Sequence, residues 1–261
     1  MEFNLPGISV AKNKMYSTSL LKKICTCLIA GLTTIGLLLV LGNSGTFKWF
    51  PPAIVFSLVG ISFLAALIFP FAWQRQEKRQ QINSEKIYAA VYAIIRYTIA
   101  FNLASFGWKK LLGLQFVVPL EISDQPMNQQ SGEWLTWFYF GHSVAFGIIT
   151  AVIQIGGAYL LLVRRTLLLG AVILFAFMLN LTLINIFYQM NAGALIQSVI
   201  LTIGIAFLIL LDYDRLVAFF LKATSNLPSM NLPGFTKNSI RLSAILLSLL
   251  FTLYLKSLMK Y

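Results

Sequence analysis

Long apolar runs alternate with short polar segments along this chain, and the pattern predicts its architecture. The apolar runs cover residues 24–41, 51–73, 87–114, 143–163, 167–188, 192–211 and 242–258. A helix of about 20 apolar residues, rising about 1.5 Å per residue, spans a hydrocarbon core of about 30 Å. The sequence therefore predicts an all-α polytopic membrane protein with about seven transmembrane helices.

The polar segment QRQEKRQQINSEK at 74–86 is the clearest predicted boundary in the chain. The predicted parts are a cytoplasmic N-terminal segment at 1–23, a transmembrane hairpin at 24–73, a four-helix membrane bundle at 87–211, a cytoplasmic interfacial segment and loop at 212–241, and a last transmembrane helix at 242–258. The aromatic stretch WLTWFYF at 134–140 precedes the fourth run. We expect it at the level of the lipid headgroups, where aromatic side chains are enriched.

Composition and charge narrow the class of protein further. Hydrophobic residues make up 58% of the chain and charged residues only 11%, whereas soluble domains carry about 25% charged residues. The formal net charge of +12 would suit nucleic acid if the bases formed one face. They lie between the apolar runs instead, so the lipid bilayer is the predicted partner and nucleic acid is not.

The distribution of Lys and Arg predicts the orientation in the membrane. Fourteen of the 20 basic residues lie in one set of alternate loops, five lie in the other set, and Arg96 lies inside a run. Loops rich in Lys and Arg stay in the cytoplasm. We therefore expect a cytoplasmic N-terminus and a C-terminus outside.

No motif typical of a metal, nucleotide or covalent-catalytic site occurs in the sequence. His142 is the single histidine, and Glu121, Asp124 and Glu133 do not have the spacing of a metal motif. The sequence therefore predicts no metal site and assigns no catalytic residue. Whether the protein is an enzyme stays open.

Strong hydrogen-bonding side chains occur inside four consecutive predicted helices. They are Arg96, Asn102, Gln154, Asn180 and Gln197. Arg96 and Gln154 lie about 13 Å from the cytoplasmic ends of their runs, and the other three lie about 20 Å from them. Because such groups are costly in contact with lipid, we expect all five to face inward and form a ligand-binding site.

Arg96 is the centre of that hypothesis because no acidic residue lies inside any run. Amide oxygens and backbone carbonyls could satisfy its guanidinium, or Asp212 could reach it, or a ligand could. In the first case the polar residues form a structural cluster that holds the helices together. In the last case the guanidinium binds a carboxylate, a phosphate or a quinone carbonyl.

Two sets of residues carry a resemblance to a known family. The first is Arg96-Tyr97, Phe106-Gly107 and Lys110-Leu111, and the second is Gln154-Ile155-Gly156-Gly157 with Leu160–Leu162, Arg164 and Gly170. On these residues, the stretch from about 87 to 215 resembles the DoxX-like family of bacterial integral membrane proteins. The resemblance implies that 87–211 is a four-helix bundle in the cytoplasmic membrane.

Some members of that family are subunits of quinone-linked oxidoreductases, including the thiosulfate-oxidising type. The resemblance therefore implies other membrane or periplasmic subunits as partners and a quinone as the one cofactor to consider. Relatives often carry a glutamate where this chain has Gln154, so the carboxylate that a redox-coupled proton step would use is absent. We expect a membrane subunit or small-ligand binder; the alternative is a structural or assembly subunit of a larger cell-envelope complex.

Overall fold

The structure contains helices and no β-strands in the part of the chain that it describes. A computed structural model describes residues 19–42, 50–223 and 233–258. The helices are α1 (Leu20–Gly42), α2 (Pro52–Lys78), α3 (Ser84–Leu111), α4 (Leu120–Ser123), α5 (Gly132–Gly141), α6 (Val144–Leu162), α7 (Leu167–Phe187), α8 (Ala192–Leu211), α9 (Tyr213–Val217) and α10 (Gly234–Leu258). Seven of them are long and apolar enough to cross a membrane: α1, α2, α3, α6, α7, α8 and α10. The predicted all-α class and the seven candidate spans are confirmed, while most of the predicted 1–23 segment lies outside the described residues.

Several helices start at residues whose side chains cap them. Asn83 accepts a hydrogen bond from the backbone N–H of Lys86 at 3.1 Å, and Asn191 accepts one from that of Ala194 at 3.0 Å. Such caps satisfy backbone donors that have no partner within the helix. Asn83 thereby starts α3 three residues before the predicted apolar run, inside the polar segment.

Two other boundaries differ from the apolar runs. Helix α2 continues to Lys78, with Arg75 and Lys78 in its last turn, although its apolar run ends at Trp73. Basic residues stabilise the negative end of the helix dipole, so the helix extends beyond its apolar part. Helix α10 begins at Gly234, eight residues before the predicted start at 242. The apolar run marks only the part of this helix that follows its polar first turns.

Five long helices form a closed ring. Along the ring, α1 packs on α3, α3 on α6, α6 on α7, α7 on α8, and α8 returns to α1; α2 packs on the outside of α1. Glycines allow close approach at two of these contacts. A Cβ at Gly107 would lie 2.6 Å from Ile155 Cγ1, and one at Gly31 would lie 2.4 Å from Ala66 Cβ. Small residues of this kind let membrane helices pack tightly.

A buried ion pair joins α1 to α2. The Lys23 ammonium contacts the Glu77 carboxylate and the Gln74 amide oxygen, and it lies 5.3 Å from the centre of the Trp73 ring. Trp73 in turn donates from Nε1 to Ser84 Oγ at 2.6 Å. These contacts fasten the hairpin and the start of α3 at one end of the ring.

The residues after Val217 form a separate unit. Its first part is a π-helical turn, Ala218–Lys222, so the amphipathic segment expected from residue 212 divides into α9 and this turn. Helix α10 follows, and none of the residues in its most apolar window is buried.

Candidate ligand-binding site

Arg96 binds the end of a neighbouring helix. Its Nε and Nη2 donate to the carbonyl oxygen of Leu161 at 3.0 and 2.8 Å, and Nη2 also donates to that of Leu162 at 2.8 Å. Leu162 is the last residue of α6, and the final carbonyls of a helix have no partners within it. A guanidinium is well suited to this place because it satisfies these oxygens and opposes the helix dipole.

The structure thus provides one of the three partners considered for Arg96, the backbone carbonyls. Asp212 does not provide it: its carboxylate accepts from Arg215 Nη1 at 2.8 Å, and among the described residues it forms no ion pair with Arg96. Arg96 is only 6% exposed, and its guanidinium carbon lies 5.6 Å from the centre of the Tyr92 ring. Its side chain is held by protein groups on several sides.

Arg96 and Gln154 do not meet, although the sequence placed them at the same depth. That estimate took both apolar runs to end at one membrane surface. Helix α3 instead begins at Ser84, and Arg96, near the middle of the helix, reaches the carbonyls at the end of α6. Gln154 lies eight residues before Leu162, about 12 Å along the helix axis.

Gln154 is bound by a different cation, Lys110. The Lys110 ammonium donates to Gln154 Oε1 at 2.7 Å and lies 5.5 Å from the centre of the Phe116 ring. Side chains lean towards the N-terminus of their helix, so Lys110 turns back from the end of α3 to reach an amide near the middle of α6. In the described part of the chain, ion pairs form at Lys23 and Arg215 and none at Lys110.

Asn102 and Gln197 meet as their predicted depths suggested. Gln197 Nε2 donates to Asn102 Oδ1 at 2.7 Å and to the carbonyl oxygen of Gly36 at 3.2 Å. The contact joins α3, α8 and α1 in the centre of the ring. Asn102 is 0% exposed, and its Nδ2 has no hydrogen-bond partner among the described residues.

Gln154 and Gln197 line one cavity of about 110 Å³ together with Lys110. Asn185 and Ser198 line it too, joined by a hydrogen bond of 2.9 Å from Asn185 Nδ2 to Ser198 Oγ. Other walls of the cavity are Phe116, Phe140, Phe177, Met178 and Leu181. The cavity is therefore apolar on several sides and polar where the helices converge.

Two further polar atoms at this cavity are unpaired. Gln115 Oε1 and Trp137 Nε1 are buried, and neither has a hydrogen-bond partner in the ranges that the structure describes. Buried polar groups are nearly always hydrogen-bonded, so such atoms call for an explanation. Together with the Lys110 ammonium, Trp137 Nε1 provides donors of the kind that bind a carbonyl, carboxylate or phosphate oxygen.

Asn180, the fifth predicted site residue, lies outside this cavity. Its side chain is exposed and lines a groove of about 730 Å³ bounded by α5, α6 and α7. Arg96 lines a third space, a groove of about 890 Å³ with both acids and bases on its walls. The five predicted residues are thus divided among three places, and only Gln154 and Gln197 line the same cavity.

His142 lies among aromatic side chains, in a pocket of about 780 Å³ that also includes Phe116 and Trp137. Within the described residues, no three His, Cys, Asp or Glu side chains cluster as they would around a metal ion.

Comparison with known proteins gives one clear relative. No model of a known protein family matches the chain, and no solved structure matches it. Over 133 residues it is 30% identical to the uncharacterized protein YwoB of Bacillus subtilis (strain 168), a match that covers 50% of this chain and 82% of YwoB. The chain belongs to the YwoB family. The match covers only half of this YwoB-family protein, and the other half has no counterpart in the matched part of YwoB.

Sequence reasoning missed the residue that distinguishes the cavity of this YwoB-family protein. Lys110 is one of the five basic residues in the second set of loops, although it also belongs to the first set of residues that carry the DoxX-like resemblance. Its position in the sequence could have identified Lys110. A long side chain in the last turn of a span can turn inward, towards the other helices. Gln115 and Trp137 lie outside the spans, so a search for polar residues within apolar runs passes over them.

Proposed function

We propose that the protein is a DoxX-like integral membrane subunit that binds a small ligand in the cavity beside Lys110. The observation that carries the proposal is the half-buried ammonium of Lys110, which touches a neutral amide and pairs with no carboxylate in the described part of the chain. A cation within a membrane span is costly and is usually paired. A ligand with a carboxylate, phosphate or quinone carbonyl oxygen supplies the missing partner.

The resemblance to the DoxX-like family supports this assignment. The two side chains that meet at the cavity, Lys110 and Gln154, belong to the two motifs that carry the resemblance. Where relatives have a glutamate, the lysine can pair with it, whereas the glutamine here leaves the positive charge uncompensated. The ligand then takes the place of that carboxylate, and partner subunits would bring any redox groups.

The proposal is tested by binding of short, tail-free probes to the full-length protein in lipid nanodiscs. The probes are butyrate, butyl phosphate and duroquinone, and the readout is the ligand-induced rise in melting temperature, which reports affinity. We expect at least one probe to stabilise the wild type. Lys110→Met should weaken its binding about tenfold, the effect of losing one charge-assisted hydrogen bond.

Lys109→Met is the matched control, because Lys109 is the adjacent base and lies 5.5 Å from the centre of the Phe106 ring, away from Gln154. It should bind the probes as the wild type does. If the probes stabilise Lys110→Met as strongly as the wild type, or stabilise none of the three proteins, the cavity is not the binding site.

The proposed location is the bacterial inner membrane, with the N-terminus in the cytoplasm. Alkaline phosphatase, which is active only outside the cytoplasm, tests the orientation. Fused after Asp124 it should be active, and fused after Arg165 it should be inactive. The reverse result would contradict the orientation that the basic residues predict.

A second candidate is a structural or assembly subunit of a larger envelope complex. It is favoured by α2 and α10, whose apolar windows are only 17% and 0% buried. These helices offer apolar surface that partner helices could cover. Crosslinking in membranes distinguishes the two functions: a stoichiometric partner bound along α1, α2 or α10, with no probe binding at Lys110, would favour assembly.

A further inference from the structure

An exposed amide marks the groove between α5, α6 and α7. Asn180 is exposed, and its side chain has no hydrogen-bond partner among the described residues. It lies seven residues before the end of α7 at Phe187, about 10 Å along the axis and hence within the hydrocarbon depth. Polar groups at this depth normally face protein, water or a ligand rather than acyl chains.

The shape of the groove follows from how α6 and α7 pack. Near the turn that connects them the two helices touch, since a Cβ at Gly170 would lie 2.9 Å from the carbonyl oxygen of Gly157. At the other end, the groove is lined by Ile149, Ile153 and Ile184. These residues are apolar, so the walls suit a hydrocarbon chain.

The groove adjoins the Lys110 cavity. Thr136, Phe140, Phe177 and Leu181 line both spaces. Sites for small organic ligands usually measure about 300–1,000 Å³. The cavity of about 110 Å³ falls below this range, whereas the neighbouring groove of about 730 Å³ falls within it. The cavity therefore fits a head group, and the groove fits the remainder of a larger molecule.

We propose that the ligand is a membrane-dissolved amphiphile that enters sideways from the bilayer. Its head carries two oxygens, of which one binds Lys110 and Trp137 and the other accepts a hydrogen bond from Asn180, and its hydrocarbon chain lies in the groove. This inference rests on the proposed function and names the ligand class of the same site. A fatty acid and an alkyl quinone both have this chemistry, and the experiment distinguishes them.

The test is photocrosslinking of the full-length protein in nanodiscs, with a palmitic acid that carries a diazirine in mid-chain. Probe is added as a fraction of total lipid, so that partitioning into the bilayer is the same for every variant. We expect crosslinks concentrated on the groove residues, Ile149 and Ile153 among them. Decanoate should compete if the site takes fatty acids, and a decyl-substituted benzoquinone should compete if it takes quinones.

Three variants separate the groove from ordinary lipid contact. Ile153→Trp, which fills the groove, and Lys110→Met should each reduce groove labelling at least fivefold, and Asn180→Leu should reduce it about threefold. Ile148→Trp is the matched control: Ile148 is on the same helix, is 46% exposed and does not line the groove. Its labelling should equal that of the wild type.

Labelling that is spread evenly over all lipid-facing helices, or that is unchanged in Ile153→Trp, would contradict the proposal that an amphiphile binds in the groove. So would a dimer that dissociates in Asn180→Leu without specific labelling, because the groove would then be an interface between copies. If the tail-free probes still depend on Lys110 in either case, the proposed function stands and only the ligand class fails. If those probes also fail to bind, both proposals fail.

Discussion

Two inward-turned cations on α3 differ in their surroundings. Near the middle of the helix, the Arg96 guanidinium makes three hydrogen bonds to the last carbonyls of α6. In its last turn, the Lys110 ammonium makes one hydrogen bond to the Gln154 amide. A charge within an apolar segment therefore does not by itself mark a site. Under the proposed function, a ligand-binding cation differs from a structural one in the number of its donors that the protein already satisfies.

Loss of Arg96 should have the largest effect on stability. In Arg96→Leu, two carbonyls at the end of α6 lose their donor, and charged hydrogen bonds contribute about 1.5–3 kcal/mol each. We expect the free energy of unfolding in mixed micelles to fall by about 3 kcal/mol. Binding of the tail-free probes, measured on the folded fraction, should not change. If Arg96→Leu reduced probe binding and left stability unchanged, Arg96 would be the ligand-binding cation and its proposed structural role would be wrong.

Loss of Lys110 should affect stability less. The Lys110→Met variant gives up one hydrogen bond to a neutral amide and also removes an unpaired charge, so the two contributions oppose each other. We expect a change of less than about 1 kcal/mol in the ligand-free unfolding free energy, measured by the same titration. A loss as large as that in Arg96→Leu would mean that Lys110 is structural too.

Supplying Lys110 with an acid should make the surroundings of the two cations more alike. In Gln154→Glu the ammonium gains a carboxylate at the position of its present amide partner. We expect the unfolding free energy to rise by about 1 kcal/mol and binding of an anionic probe to weaken about fivefold, because the internal carboxylate competes with it. Gln154→Leu, which offers no charge, serves as the control and should not gain stability. Tighter anion binding in Gln154→Glu would contradict the proposed role of Lys110.

Filling the close contact beside the cavity should also give a small change in stability. Gly107→Ala places a methyl group 2.6 Å from Ile155 Cγ1, so α3 and α6 must shift slightly apart. Overpacking typically costs about 1–3 kcal/mol, and we expect the lower end because the isoleucine side chain can move. Gly147→Ala, where a Cβ would meet nothing within 4 Å, is the control. Equal melting temperatures of the two variants would show that this contact is not tight.

The spans could be predicted because each depends on local composition. The run at 192–211 coincides with α8, and the meeting of Asn102 with Gln197 followed from their similar depths. The height at which one helix ends against its neighbour depends on tertiary packing and not on local composition. For this reason the sequence predicts Arg96 beside Gln154, whereas the structure has it beside Leu161. The inward turn of Lys110 depends on the residue that faces it on another helix. Composition alone therefore does not distinguish Lys110 from an ordinary basic residue at a helix end.

The hydrogen bond between Gln197 and Gly36 joins residues that are 161 positions apart in the chain. Ribosomes add about 5–20 residues per second, so about 8–32 s of synthesis separate the two partners. Asn102 is made 95 positions before Gln197, so for about 5–19 s of that interval it has no amide partner. Synthesis of α8 therefore supplies both the last helix of the ring and the partner of Asn102.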